Sequence, residues 1–181
     1  MMKKGFTLVE VIVVVVIIAV LSSIAATQLF KAVESSRMSD AVALVSAAAG
    51  AKRMARLDYI GGTMPTGVLT SPTSVTTCST LATVADYTNC KYLTPHDWSN
   101  LLYAYYMCND TSGAGGSCCA ANVTACAQRK KSTDALLSGE TSNHGTTGDY
   151  ASWRVRIMTN GQCSTSCSGA CASAPPSCPA M

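Results

Sequence analysis

Hydrophobic and polar positions fall into two regimes along this chain. From Phe6 to Leu29 there are 24 residues, and Glu10 is the only charged one among them. At ~1.5 Å rise per residue, a helix over that stretch covers roughly 36 Å, enough for a bilayer core. Polar residues then enter at helical intervals. Val33, Met38, Ala41, Val42, Val45, Ala48 and Ala49 recur at three- and four-residue steps, which is one face of an amphipathic helix. Lys31, Glu34, Arg37, Asp40, Lys52, Arg53 and Arg56 supply the polar remainder. No proline and only Gly50 interrupt Lys31 to Leu57. The pattern predicts one helix from about Phe6 to Leu57, roughly 78 Å long at the standard rise. Gly61-Gly62 and Pro65 then end it.

Beyond the helix the periodicity changes. Tyr59 to Asn89 is rich in Thr, Ser, Gly and Pro and reads as loop. Tyr92 to Asn100 reads as a short connection, with His96-Asp97 in a turn or capping role. Leu101 to Cys108 has strand composition, and Asn109 to Gly116 is turn-rich. Tyr150, Ser152, Arg154 and Arg156 alternate with Ala151, Trp153, Val155 and Ile157. That alternation predicts a half-buried antiparallel strand, and Asn160-Gly161 a turn after it. The expected fold class is α+β: a long N-terminal α-helix packed on a small antiparallel β-sheet head, disulfide-rich. The expected divisions are 6-29 as an apolar helix, 30-58 as the amphipathic half of the same helix, and 59-181 as one globular Cys-rich head.

Cysteine usage sharpens this reading. The ten are Cys78, Cys90, Cys108, Cys118, Cys119, Cys126, Cys163, Cys167, Cys171 and Cys178, all beyond the apolar stretch. An even number in a small translocated domain reads as a disulfide framework. Cys78 and Cys90 could close a loop, and the vicinal Cys118-Cys119 pair is expected to bond elsewhere rather than to each other. No Cys-x-x-Cys occurs, and His96 and His144 are the only imidazoles, so no metal, cofactor or redox centre is expected. Four cysteines among serines, alanines and prolines mark Gln162 to Met181 as a tail that disulfides must tie down. Asn109-Asp110-Thr111 and Asn122-Val123-Thr124 match the N-glycosylation pattern.

Net charge excludes more than it suggests. The formal +3 falls to +1 without Lys3 and Lys4, which is no electrostatic footprint for nucleic acid. The Lys52, Arg53, Arg56 cluster reads first as a solvated helix face, with an acidic neighbouring surface as the alternative. Arg129-Lys130-Lys131 reads as solvated surface. No Gly-x-Ser-x-Gly, no metal-ligand spacing and no P-loop lysine after Gly113 to Gly116 supports an enzyme. No catalytic residue is therefore expected.

Three readings compete for the N-terminus. A secretory signal would need a cleavage site, for which Ser22, Ser23, Ala25 and Ala26 are weak candidates. A plain membrane anchor would keep Lys3 and Lys4 on the cytoplasmic side but leave Glu10 a cost near lipid. Cleavage between Gly5 and Phe6 gives Glu10 a use, because a positive amine then appears at Phe6. At ~4 Å and an effective dielectric near 20, that amine on a neighbouring chain would attract Glu10 by roughly 4 kcal/mol before desolvation.

Lys3, Lys4, Gly5, Phe6, Thr7, Leu8, Val9 and Glu10 closely resemble the class III leader of type IV pilins and pseudopilins. The resemblance implies a leader at 1-5, cleavage after Gly5 by a prepilin peptidase, methylation of the Phe6 amine, and Glu10 as the acid needed for subunit docking. It implies the pilin fold and a C-terminal cystine loop with Cys163 and Cys178 as plausible ends. Many members carry a helix-disturbing glycine and proline where this chain has Ala19 and Thr27. The implied function is a structural subunit of a type IV pilus. Its apolar half-helix would sit in the inner membrane before assembly, then in the core of an extracellular filament built through an assembly platform. A minor pilin or a type II secretion pseudopilin is the alternative. DNA capture would fall first to Arg154 and Arg156.

Overall fold

A computed structural model of the chain describes residues 8–71, 78–98, 101–130, 153–167 and 174–178. Seven elements follow in order: α1 (Leu8–Asp58), β1 (Gly67–Val68), α2 (Asp86–Asn89), β2 (Tyr103–Met107), β3 (Val123–Arg129), β4 (Trp153–Met158) and β5 (Cys163–Cys167). The chain divides into two compact units, Met1–Ser36 and Arg37–Met181.

In the first unit α1 is apolar on every side. Leu8, Val9, Val11 through Ile18, Val20 and Leu21 are each half to three-quarters exposed. A helix that is hydrophobic all round needs an apolar surrounding. Among the described residues, no helix is long and apolar enough to cross a membrane.

The second unit is built on a five-stranded sheet in the order β1-β2-β3-β4-β5, with every neighbouring pair antiparallel. One face carries Tyr103, Tyr105 and Met107 of β2, Ala125 and Ala127 of β3, and Trp153, Val155 and Ile157 of β4, all buried. The α1 residues Met38, Ala41, Val42, Val45, Ala48, Ala49 and Ala55 belong to the same core. The alanines give this stretch of α1 a low profile, so the large side chains come from the sheet and interdigitate above it. Trp98 packs edge-on against Tyr105 at 5.3 Å between ring centroids, and His96 against Trp98 at 5.2 Å. Asp97 accepts a hydrogen bond from Ser71 Oγ at 3.1 Å, which is a loop-pinning role.

The opposite face of the sheet holds a second core of Ala104, Tyr106, Cys108, Cys118, Val123 and Cys126. The strand β3 is therefore buried along its whole length. A register shift between Val123 and Ala125 moves Val123 into this second core. The alternation expected in Tyr150 to Met158 is present from Trp153 onward, buried and half-buried by turns. Tyr150, Ala151 and Ser152 lie outside the described residues. The loop expected between Tyr59 and Asn89 contains the short β1 and α2. The carboxylate of Asp86 accepts from the amides of Ala82 and Thr83, at 2.9 and 2.7 Å, and so turns the chain into α2.

Candidate functional site

At the N-terminal end, Glu10 lies in the first turn of α1 and is exposed. An acid is favoured there by the helix dipole. Gly5 and Phe6, the expected cleavage and methylation positions, lie outside the described residues.

In the second unit the basic cluster is solvated only in part: Arg53 and Arg56 are exposed, as expected from sequence, but Lys52 is not. Lys52 is 1% exposed. Its ammonium donates to Asp110 Oδ1 at 2.7 Å and to the carbonyl oxygen of Cys108. Arg56, one helical turn on, reaches Asp110 Oδ2 at 2.5 Å. Arg53 donates to the carbonyl of Met158 at 3.2 Å, at the end of β4. Burial pushes the Lys52 pKa down, and the Asp110 carboxylate opposes that shift. The three bases fasten α1 to the β2–β3 loop and to the β4–β5 turn. Asp110, which pairs with Lys52 and Arg56, was not singled out from sequence. The signal was available, since the four-residue spacing of Lys52 and Arg56 puts both on one helix face and fits a single shared carboxylate.

The loop holding Asp110 is tightly folded. Asn109 Oδ1 accepts from the amides of Thr111 and Ser112 at 3.0 and 3.1 Å. Gly113 and Gly115 have φ of +71° and +126°, in the region that favours glycine. Thr124 of the second glycosylation pattern is 1% exposed. The Arg129-Lys130 part of the basic run is also buried rather than solvated, at 8% and 6% exposure. Arg129 stacks over the Tyr103 ring at 5.9 Å and donates to the carbonyl of Leu102 at 3.3 Å. Lys131 lies outside the described residues.

Four disulfides join Cys78 to Cys90, Cys108 to Cys119, Cys118 to Cys126, and Cys163 to Cys178. Cys167 is also disulfide-bonded, and Cys171 lies outside the described residues. The vicinal cysteines bond in opposite directions, Cys118 to β3 and Cys119 to the end of β2. The Sγ atoms of Cys108, Cys119 and Cys126 all lie within 4.8 Å of one another, but each is held in a disulfide and is no free thiolate ligand.

Arg154 and Arg156 share a face of β4 and are half-buried. Arg156 Nε donates to the carbonyl of Cys118 at 2.7 Å. Burial, reinforced by the like charge of Arg156, pushes the Arg154 pKa down. The loop thus occupies Arg156, whereas Arg154 Nε is buried without a hydrogen-bond partner among the described residues, and the pair is half-buried rather than an open basic patch.

Residues 1–26 match the family described as a prokaryotic N-terminal methylation motif. This is the class III leader, the signal of type IV pilins and pseudopilins. No curated protein and no solved structure matches the chain.

Proposed function

We propose that this chain, which carries the leader of type IV pilins and pseudopilins, is a structural subunit of a type IV pilus. The single observation that carries the reading is the matched leader at residues 1–26, with Gly5-Phe6 as the junction and Glu10 behind it. A prepilin peptidase cuts after Gly5, and Phe6 becomes the methylated N-terminus. The apolar stretch from Phe6 to Leu29 holds the subunit in the cytoplasmic membrane until an assembly platform extracts it. The all-round apolar surface of the first unit supports burial among copies of itself. Lipid is as apolar as that surface, so the gain from apolar contact is modest. Pairing of Glu10 with the Phe6 amine of a neighbouring subunit adds polarity and axial register. Assembly of this kind is heterologous and non-closing, which gives a helix rather than a ring.

Intact and N-terminal peptide mass spectrometry on protein sheared from the cell surface tests the reading. The expected result is an abundant chain beginning at N-methylated Phe6. The same processed chain confined to membranes would make it a pseudopilin or a scarce minor pilin. An uncut N-terminus would overturn the proposal, because Phe6 would have no free amine. In the same assay Glu10→Val is expected to leave the membrane-inserted subunit at normal levels and to deplete it from the sheared fraction. Sheared yields equal to those of the unaltered protein would refute the docking role.

A further inference from the structure

The two disulfides beside the β2–β3 loop form one sulfur cluster. Cys126 Sγ, bonded to Cys118, lies 3.6 Å from Cys108 Sγ and 3.7 Å from Cys119 Sγ. The four cysteines of the cluster differ in burial. Cys108, Cys118 and Cys126 are all fully buried, at 0% exposure, whereas Cys119 is half-buried. Thiol–disulfide exchange needs an attackable sulfur and a nearby second disulfide to receive the displaced thiolate. Both are present here.

We propose that Cys119 is a modification site for external thiols, and that its modification moves a disulfide inside the head. An external thiolate attacks Cys119 Sγ. A mixed disulfide forms there, the Cys108–Cys119 bond breaks, and its electron pair leaves on Cys108 as a thiolate. That thiolate attacks Cys126 Sγ. A Cys108–Cys126 bond forms, the Cys118–Cys126 bond breaks, and Cys118 leaves as a thiolate. Two protein disulfides and one thiolate become one protein disulfide, one mixed disulfide and one thiolate, so no net oxidant or reductant is consumed. Closing the 3.6 Å gap to a bond requires the sulfurs to approach by about 1.5 Å.

The consequence falls on the loop. In the resting pairing, Cys118 and Cys119 tie the far end of the loop to both β3 and β2. After exchange, the remaining bond joins the strands directly, and the vicinal cysteines are held by neither. Asp110, which anchors Lys52 and Arg56, sits on that loop. Thiol attack at Cys119 therefore loosens the seat of α1.

Two serine variants of the full chain in detergent, with the other disulfides intact, test the relay. Cys119→Ser leaves Cys108 without its partner, and Cys108→Ser leaves Cys119 without its own. Each is held at pH 8, acid-quenched at intervals and alkylated, and the labelled cysteine is located by fragment mass spectrometry. In Cys119→Ser the label is expected to move from Cys108 to Cys118, and in Cys108→Ser from Cys119 to Cys118. Both transfers should run at rates independent of protein concentration. Label that stays on Cys108 in Cys119→Ser overturns the proposal, as does transfer that accelerates with concentration. In the unaltered protein, glutathione disulfide formation is expected at Cys119 within this cluster. A first adduct on Cys118 or Cys126 would refute the entry point. Cys78→Ser is the control, because Cys90 has no such sulfur cluster around it among the described residues, and its label should remain on Cys90.

Discussion

Removing Asp110 should unfasten α1 from the head, and the size of the effect follows from burial. The Lys52 ammonium has 1% of its side chain exposed, and Asp110 has 11%. Breaking a pair this enclosed by deleting one partner costs about 3–5 kcal/mol, since the surviving charge is left in low dielectric. Arg56 is 43% exposed, so water screens its share to about 1 kcal/mol or less. Asp110→Ala should therefore cost about 4 kcal/mol. For a unit the size of Arg37–Met181, that is a fall in Tm of roughly 10 °C. Lys52→Met removes the buried charge while keeping most of the volume, and leaves Asp110 with Arg56. It should cost under about 1 kcal/mol, and in the Asp110→Ala background it should restore at least half of the loss. Tryptophan fluorescence reads the transition directly in full-length, disulfide-intact protein in detergent, since Trp98 and Trp153 are both buried in this unit. Equal losses for Asp110→Ala and Lys52→Met, or no rescue in the double variant, would refute a charge-driven clasp.

Two further outcomes follow from the same core. At Gly115, φ is +126° and an added Cβ would overlap the carbonyl oxygen of Met107. Gly115→Ala should cost about 2–3 kcal/mol, while Gly50→Ala, with open space around it, should be neutral or stabilising by up to ~1 kcal/mol; thermal melts of the two variants check the contrast. Burial raises the Tyr87 and Tyr105 pKa values well above the ordinary 10.0. The unfolded chain then loses these protons first. Their contribution is whole below pH 10 and is lost as pH rises past it. Lys52, lowered from 10.5, acts with the opposite sign just below that window. Stability should fall above pH 10, and Tyr105→Phe should flatten the fall. An unchanged alkaline slope in that variant would count against the buried phenol.

Legibility in the sequence followed periodicity. The long helix was visible because an apolar stretch and then a 3.6-residue stripe ran on without proline. The strand at Trp153–Met158 was visible because one of its faces is less buried than the other. By contrast, β3 was not read. Its sequence, Val123 to Arg129, is small and mixed, and burial on both faces erases alternation. Likewise β5 is a run of serine and threonine between cysteines, a composition indistinguishable from loop. Lys52, Arg129 and Lys130 were assigned to solvent because isolated charges usually are there. Their partners, Asp110 and the Leu102 carbonyl and Tyr103 ring, lie far away in sequence or carry no signature. The leader was legible at once because its chemistry is local: two lysines, a glycine, a phenylalanine and an acid within eight residues.

The strand order running straight from β1 to β5 has a consequence for crowding. Such a sheet has two edges, and an unpaired edge is a template for another chain's backbone. Here one edge is β1, only two residues long, too short to recruit a partner strand. The other is β5, Cys-Ser-Thr-Ser-Cys, polar and pinned by disulfides at both of its ends. A protein whose proposed role is to stand shoulder to shoulder with copies of itself has thus been denied the commonest way for β-sheets to fuse. In the proposed filament, contact between neighbouring heads is left to side chains, and order along the fibre to the helices.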